Sequence, residues 1–235
     1  MSEFVSYQVD EGVATLTLNN GKVNAISLPV LEAFNKGLSR AADDRAVVII
    51  TGQPGMFSAG YDLKVLKTGP QDAADLVSAG SLFSRRMLAH PYPIIVACTG
   101  LAAGEGAFIL LSSDYRIGAD GPFQISVPVV KVGMTMHRVG LALCRARLTP
   151  SVFNRAVNNA EVFDPPSALA AGFLDRVAPA ERLMETAKAV AGDLAKLDMV
   201  AHRQTKLLAR KALLEELDHA IKTDRGEILL RTEIW

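Results

Sequence analysis

The segment from Pro93 to Asp114, PIIVACTGLAAGEGAFILLSSD, constrains the fold more than any other stretch of this chain. Ile94 to Val96 is a short, apolar, β-branched run of the kind that a sheet buries. Thr99-Gly100 closes it. Gly104-Glu105-Gly106 then leads into a helix predicted from about Ala107. Glycine lets the backbone approach a ligand closely. Amides at a helix start have no intrahelical acceptor, and the helix dipole suits them to negative charge. A catalyst that stabilises a developing oxyanion needs such donors. A similar unit precedes it: the apolar run VVIIT, Val47 to Thr51, followed by GQPGMFSAGYD, Gly52 to Asp62.

The flanking pattern is α/β. Val5, Tyr7 and Val9 alternate, Asp10-Glu11-Gly12 turns, and Val13, Thr15 and Thr17 alternate again, which predicts a hairpin. Ser27 is a candidate helix cap ahead of Leu31, Phe34, Leu38 and Ala41 at helical spacing. Leu76, Gly80, Phe83 and Met87 mark a second helix that ends at His90-Pro91. Further strands are predicted at Tyr115 to Ile117 and Phe123 to Ser126. Alternating strands and helices favour a largely parallel sheet with crossover helices. From Pro179 the pattern is helical. One helix is predicted through Leu183, Ala187, Val190, Leu194 and Leu197, and another through Leu207, Ala212, Leu214 and Leu217.

At 235 residues the chain suits one domain with a large core. Lys+Arg and Asp+Glu number 25 each, so the net charge is zero. That argues against a nucleic-acid partner and permits self-association. Cys98 and Cys144 sit in apolar runs and are expected to be buried thiols. No His/Cys cluster suggests a metal site. The N-terminal MSEFVSYQVDEG lacks the basic-then-apolar pattern of a signal peptide, and no apolar stretch reaches the roughly 20 residues of a membrane span. No membrane partner is expected, and the expected compartment is the cytoplasm.

Five segments taken in order, GKVNAIS, FSAGYDLK, GLAAGEGAF, SSDYRIGA and the AxAAGFLDRV segment from Ala168 to Val177, resemble the enoyl-CoA hydratase/isomerase (crotonase) superfamily. The resemblance runs from about Tyr7 to about Val177. It implies a spiral of ββα units over residues 1–178 and a C-terminal helical region over 179–235 that covers the site and the subunit interface, the whole being one domain. It also implies a homotrimer or dimer of trimers, a role in fatty acid metabolism, and an acyl-CoA substrate with coenzyme A as part of the thioester and no separate cofactor. By family position, the backbone amides of Tyr61 and Glu105 form an oxyanion hole. The arm of coenzyme A would lie along Lys22, Val23, Ala25, Ala59, Asp62, Leu63 and Lys64. Both lysines have the competing reading of ordinary solvated side chains.

The chain departs from the family where hydration chemistry is done. Family hydratases carry two glutamates. Matched through Asp114, the first position is Phe108; matched through Pro128 and Gly133, the second is Val129. No glutamate occurs from Gly106 to Ala160, where the only acids are Asp114 and Asp120. Phe108, Val129, Met134 and Met136 would make an apolar pocket that excludes water. Packing in the core is the competing reading.

The remaining polar candidates each have a plain reading. Glu105 stands where the family has glycine. Its side chain would serve as a base if turned inward, but a glutamate at such a turn is ordinarily solvated. Asp114 is expected to tie a turn. His137 is a candidate acid/base group near neutral pH, with a structural role as the ordinary alternative. A Ser112, Ser113, Asp114 and His137 hydrolytic set is a further arrangement to test. Two functions remain open: an enzyme that stabilises a thioester enolate with little hydratase activity, and a non-catalytic CoA-thioester binder or assembly subunit.

Overall fold

A computed structural model describes residues 4–230. The outermost residues, 1–3 and 231–235, belong to the expected two-part division but lie outside the described residues. In chain order the elements are β1 (Val5–Asp10), β2 (Val13–Leu18), α1 (Leu28–Asp43), β3 (Val47–Thr51), β4 (Gly55–Ser58), α2 (Leu63–Leu66), α3 (Pro70–Leu88), β5 (Ile94–Cys98), β6 (Gly100–Ala103), α4 (Glu105–Leu111) and β7 (Tyr115–Ala119). They continue with β8 (Ile125–Ser126), α5 (Arg138–Arg147), α6 (Pro150–Asn158), β9 (Val162–Phe163), α7 (Pro165–Ala171), β10 (Arg176–Ala178), α8 (Leu183–Leu194), α9 (Met199–Ala209) and α10 (Lys211–Leu230). The β1–β2 hairpin pairs from Val5 opposite Leu18 to Asp10 opposite Val13.

Two sheets share the chain. The first runs β1-β2-β3-β5-β7-β10 and is parallel except for the hairpin. The second runs β4-β6-β8-β9. Each central strand of the first sheet passes almost at once into a strand of the second: β3 into β4, β5 into β6, β7 into β8. Repetition of that step winds the chain into a spiral. Sequence periodicity did not indicate β4 or β6. Their segments, GMFS and GLAA, are short and begin with glycine, and strand propensity is low there. Tertiary contact makes them strands: a Cβ at Gly100 would stand 2.1 Å from the carbonyl carbon of Gly55.

The first sheet is covered on both faces, which is why residues 47–50 of β3 are all apolar rather than alternating. Val48, Ile50, Ile94 and Val96 face the main core with Phe34, Phe83 and Leu110. Val47, Ile49, Ile95 and Ala97 face Leu183, Ala187 and Ala191 of α8. Cys98 and Cys144 are buried free thiols, each pushed up to about 12 by burial.

Several local expectations differ in detail. Ser27 occupies the N-cap of α1, but its hydroxyl makes no capping bond. Helix α4 starts at Glu105, two residues before the expected Ala107. The strand expected from Phe123 is confined to Ile125–Ser126. Helix α8 stops at Leu194, leaving Leu197 outside it. The last predicted helix is two, interrupted at Arg210. That guanidinium is anchored on the Leu88 carbonyl at 2.9 Å and on Asp114 at 2.8 Å, which fixes the backbone there against the helical repeat.

Helix α10 packs on α3 and α5 through Leu214, Leu217, Ala220 and Ile221. Ion pairs flank this contact: Arg225 with Asp75 at 2.6 Å and Arg138 with Glu227 at 2.6 Å. Asp224 caps α5 by accepting from the amides of Arg138 and Val139 at 3.0 and 3.1 Å. Asp114, as expected of a structural aspartate, accepts from the Ile94 amide at 2.7 Å and binds Lys206 at 2.6 Å. Lys206 is buried, and desolvation pulls its pKa down while Asp114 opposes that shift. Asp114→Ala leaves this ammonium uncompensated. It is expected to cost about 3–5 kcal/mol, read as a lower urea midpoint.

Candidate active site

A cavity of about 360 Å³ opens between the β4–α2 turn, the start of α4, the segment from Pro128 to Arg138, and α10. Two glycine turns form its floor. In the first, β4 ends at Ser58 and the chain turns through Ala59, Gly60 and Tyr61. The Gly21 to Ile26 segment lies alongside. The Ala59 amide donates to the Val23 carbonyl at 3.0 Å, Ile26 to Gly60 at 2.8 Å and Asp62 to Ile26 at 2.8 Å. Asn24 organises this contact. It is fully buried at a φ of 48°, and its amide nitrogen faces the carbonyls of Leu18, Met56 and Phe57 at 3.1–3.2 Å. Its side-chain oxygen accepts from the Asn20 amide and from Gln53. The Ser58 hydroxyl donates to the Asn24 carbonyl at 2.8 Å and accepts from the Gly60 amide at 3.1 Å. Asn24 lies inside the GKVNAIS segment, where its own role was not apparent. A polar residue that tolerates positive φ amid turn glycines was the available signal.

The second turn is Gly104-Glu105-Gly106. The two turns touch, and glycine makes the contact possible. A Cβ at Gly60, whose φ is 95°, would stand 2.8 Å from the Ala103 carbonyl oxygen and 3.3 Å from the Glu105 amide nitrogen. A Cβ at Gly106 would stand 2.6 Å from the Ser58 carbonyl oxygen. Among the described residues, the amides of Tyr61 and Glu105 donate to no acceptor. Each belongs to a residue that lines the cavity.

The Glu105 side chain is the main departure from expectation. It is not solvated: the residue is 2 % exposed, and its Oε1 is buried without a hydrogen-bond partner. Burial raises its carboxyl to about 8, while the neighbouring Tyr61 phenol pulls it the other way. Tyr61 folds back over α3, where its hydroxyl takes the space a Cβ at Gly80 would need and lies 3.5 Å from the Val77 carbonyl oxygen. Burial, then Glu105, raises the phenol well above its ordinary range.

The opposite wall is apolar. Phe108, buried one turn after Glu105, meets His137 edge-on with ring centroids 5.2 Å apart. Val129, Met134 and Met136 line the same cavity. His137 is the N-cap residue of α5, and burial holds its imidazole below its ordinary pKa against the pull of Asp224. The hydrolytic set does not assemble. Ser112 and Ser113 donate to the carbonyls of Phe108 and Leu110, and Asp114 is bound to Lys206 and Arg210.

Of the residues expected along the coenzyme arm, Ala59 and Leu63 line the cavity mouth; Lys22, Val23, Ala25, Asp62 and Lys64 do not. Lys22 and Lys64 are exposed and, among the described residues, carry no ion pair. Asp62 caps α2 by accepting from the Lys64 amide at 2.9 Å. No group of three or more His, Cys, Asp or Glu residues suited to a metal occurs among the described residues. Among them, no helix is long and apolar enough to cross a membrane.

The raised pKa of Glu105 has a thermodynamic sign. Below the ordinary value of 4.5, folded and unfolded chains both hold its proton. Between 4.5 and about 8 only the folded chain does, so its contribution to stability is lost as pH rises through that window. Glu105→Gln is expected to remove that decline. The stability difference between wild type and variant, from urea unfolding across this range, isolates it because the His137 contribution is common to both.

The model of the family described as enoyl-CoA hydratase/isomerase matches residues 8–228. A solved enoyl-CoA hydratase/isomerase family protein from Pseudomonas syringae is 58% identical, with a TM-score of 0.96 over 97% of this chain and 99% of that one. A Mycobacterium tuberculosis protein, described in one solved structure as an enoyl-CoA isomerase and in another as a probable enoyl-CoA hydratase, is 35% identical, with a TM-score of 0.92 over 97% of this chain and 100% of that one in the first. Human enoyl-CoA hydratase domain-containing protein 3, a mitochondrial protein, is 30% identical over 89% of this chain and 70% of its own length. With a matched model over nearly its whole length and the two-sheet spiral of the crotonase fold, this chain belongs to the enoyl-CoA hydratase/isomerase family.

Proposed function

We propose that this protein binds an acyl-CoA thioester with its carbonyl oxygen between the Tyr61 and Glu105 amides and stabilises the enolate formed from it. The observation that carries this reading is the pair of amides without acceptors, on two turns held in contact by Gly60 and Gly106. Removal of the α-proton of a thioester places negative charge on the carbonyl oxygen. Donors fixed before the reaction need no reorganisation to meet it, and one such donor is worth roughly 3–4 kcal/mol. The coenzyme arm would lie against the Lys22–Ala25 and Ala59–Lys64 segments, where two exposed ammonium groups suit phosphate. Assembly into a homotrimer or dimer of trimers is part of this reading, and it would offer the exposed Val200 and Leu208 of α9 a place for burial.

Hydration is disfavoured by the same cavity. Addition of water calls for an acid and a base placed around it. Phe108 and Val129 are apolar, and Asp224 and Glu227 are engaged with Arg138. Crotonyl-CoA hydration is therefore expected to be very weak or absent, since each positioned acid or base contributes roughly 10²–10⁴-fold. A hydratase-like turnover in a spectrophotometric assay of protein free of host enzyme overturns this.

The second reading, a binder without turnover, is favoured by the loss of both glutamates and separates cleanly from the first. Deuterium incorporation at the α-carbon of butyryl-CoA in heavy water is expected for the enolate reading. Calorimetric binding without incorporation marks a binder. No binding of coenzyme A or acetyl-CoA at millimolar concentration counts against both.

A further inference from the structure

We infer that Asn20-Gly21 is a site of self-modification. The Asn20 carboxamide is lost as ammonia, residue 20 becomes aspartate or isoaspartate, and the turn that carries the Tyr61 amide loosens as a result. The chemistry lies outside the cavity and is independent of the enolate reading. Only its effect on coenzyme A rests on that reading.

The chain has seven asparagines, and Asn20 alone precedes a glycine. Loss of ammonia begins when the backbone nitrogen of the next residue reaches the asparagine Cγ. A side chain on that residue hinders the approach, and a hydrogen bond or helical backbone withholds the nitrogen. Gly21 is free of each restraint. It is exposed, lies past the end of β2, and has a φ of 68°. A Cβ built on it would meet nothing within 4 Å. Among the described residues, its amide donates to no acceptor. The other asparagines lack this combination. Asn19 is followed by the Asn20 amide, which donates to the Asn24 side-chain oxygen at 2.8 Å. Asn24 is fully buried. Asn35 and Asn154 lie inside α1 and α6, where the next amide belongs to the helix. Asn158 and Asn159 are followed by residues with side chains.

The step balances with water as co-reactant. The Gly21 nitrogen gives its proton to solvent and bonds to the Asn20 Cγ. The Cγ–Nδ2 bond breaks, ammonia leaves, and a cyclic succinimide remains. Water then opens the ring at either carbonyl. Opening at Cγ leaves aspartate in an unaltered backbone. Opening at the main-chain carbonyl leaves isoaspartate, which adds a backbone carbon between residues 20 and 21.

The consequence follows from contacts already in place. The Asn20 side chain donates to the Ala25 carbonyl at 2.6 Å. A carboxylate has no such proton to give and sets oxygen against oxygen. An added backbone carbon also shifts the Asn20 amide against Asn24. Asn24 faces the carbonyls of Leu18, Met56 and Phe57, and its own carbonyl takes the Ser58 hydroxyl at 2.8 Å. The disturbance therefore reaches the end of β4 and the turn through Gly60 and Tyr61. It also places a negative charge two residues before Lys22, in the segment proposed for the coenzyme arm.

Tandem mass spectrometry of the full chain, kept folded in mildly alkaline bicarbonate, tests this. Residue 20 is expected to turn acidic at least about tenfold faster than the exposed Asn154, with isoaspartate among the products. Gly21→Ala is expected to slow the change by about tenfold. The acidic form, separated by anion exchange, is expected to have a lower urea midpoint than the unmodified form and to bind coenzyme A several-fold more weakly by calorimetry. Conversion of residue 20 no faster than that of Asn154 overturns the site, and this comparison within wild type decides even if Gly21→Ala does not fold. A folded Gly21→Ala that converts at the wild-type rate overturns the ring-closure route. An acidic form with the unmodified midpoint overturns the loosening of the turn. Unmodified protein that binds no coenzyme A, beside an acidic form of lower midpoint, counts against the proposed function and supports the site.

Discussion

The contact between two glycine turns is the constraint on which the site depends. Gly60 lies against the Ala103 carbonyl, and Gly106 against the Ser58 carbonyl, at distances that leave no room for a side-chain carbon. Backbone so closely apposed cannot satisfy all its own amides. Those of Tyr61 and Glu105 are among the amides left without an acceptor, and both residues line the cavity. Asn24 and Ser58 hold the first turn from behind by hydrogen bonds to four backbone carbonyls. An unpaired buried amide is costly, so this arrangement survives because the surrounding packing over-determines it.

The two-sheet spiral brings these turns together. The first turn follows β4 and the second follows β6, which pair in parallel. Their parent strands, β3 and β5, pair in the other sheet. Adjacent strands in each sheet place equivalent turns side by side. Helix α10 then closes the cavity with Asp224, Glu227 and Ile228. Its Asp224 and Glu227 are spent on Arg138 and the α5 cap, so the polar groups left in the lining are the amides and the side chains of Tyr61, Glu105, Thr135 and His137.

Glu105 shows how burial sets chemistry. One residue supplies a backbone donor and, through its side chain, a carboxyl in a setting where the neutral form is favoured at neutral pH. A buried carboxyl with a raised pKa is costly to fold around above neutral pH, and such costs concentrate where function requires them.

Much was legible before the fold was known. The apolar runs from Val47 and Ile94 determined two buried strands because a doubly covered sheet accommodates an unbroken apolar run rather than an alternating one. Glycine spacing marked both turns, and no glutamate occurs from Gly106 to Ala160. Periodicity could not show β4 and β6, because their strand character comes from neighbours and not from their own propensity. Nor could it separate α9 from α10, because the break at Arg210 is held by Leu88 and Asp114, both distant in sequence. The direction of the Glu105 side chain was equally a tertiary matter. Solvation is the ordinary state of a glutamate beside glycines, and only the packing of Tyr61 and α3 around it leaves the carboxyl nowhere to go but the interior.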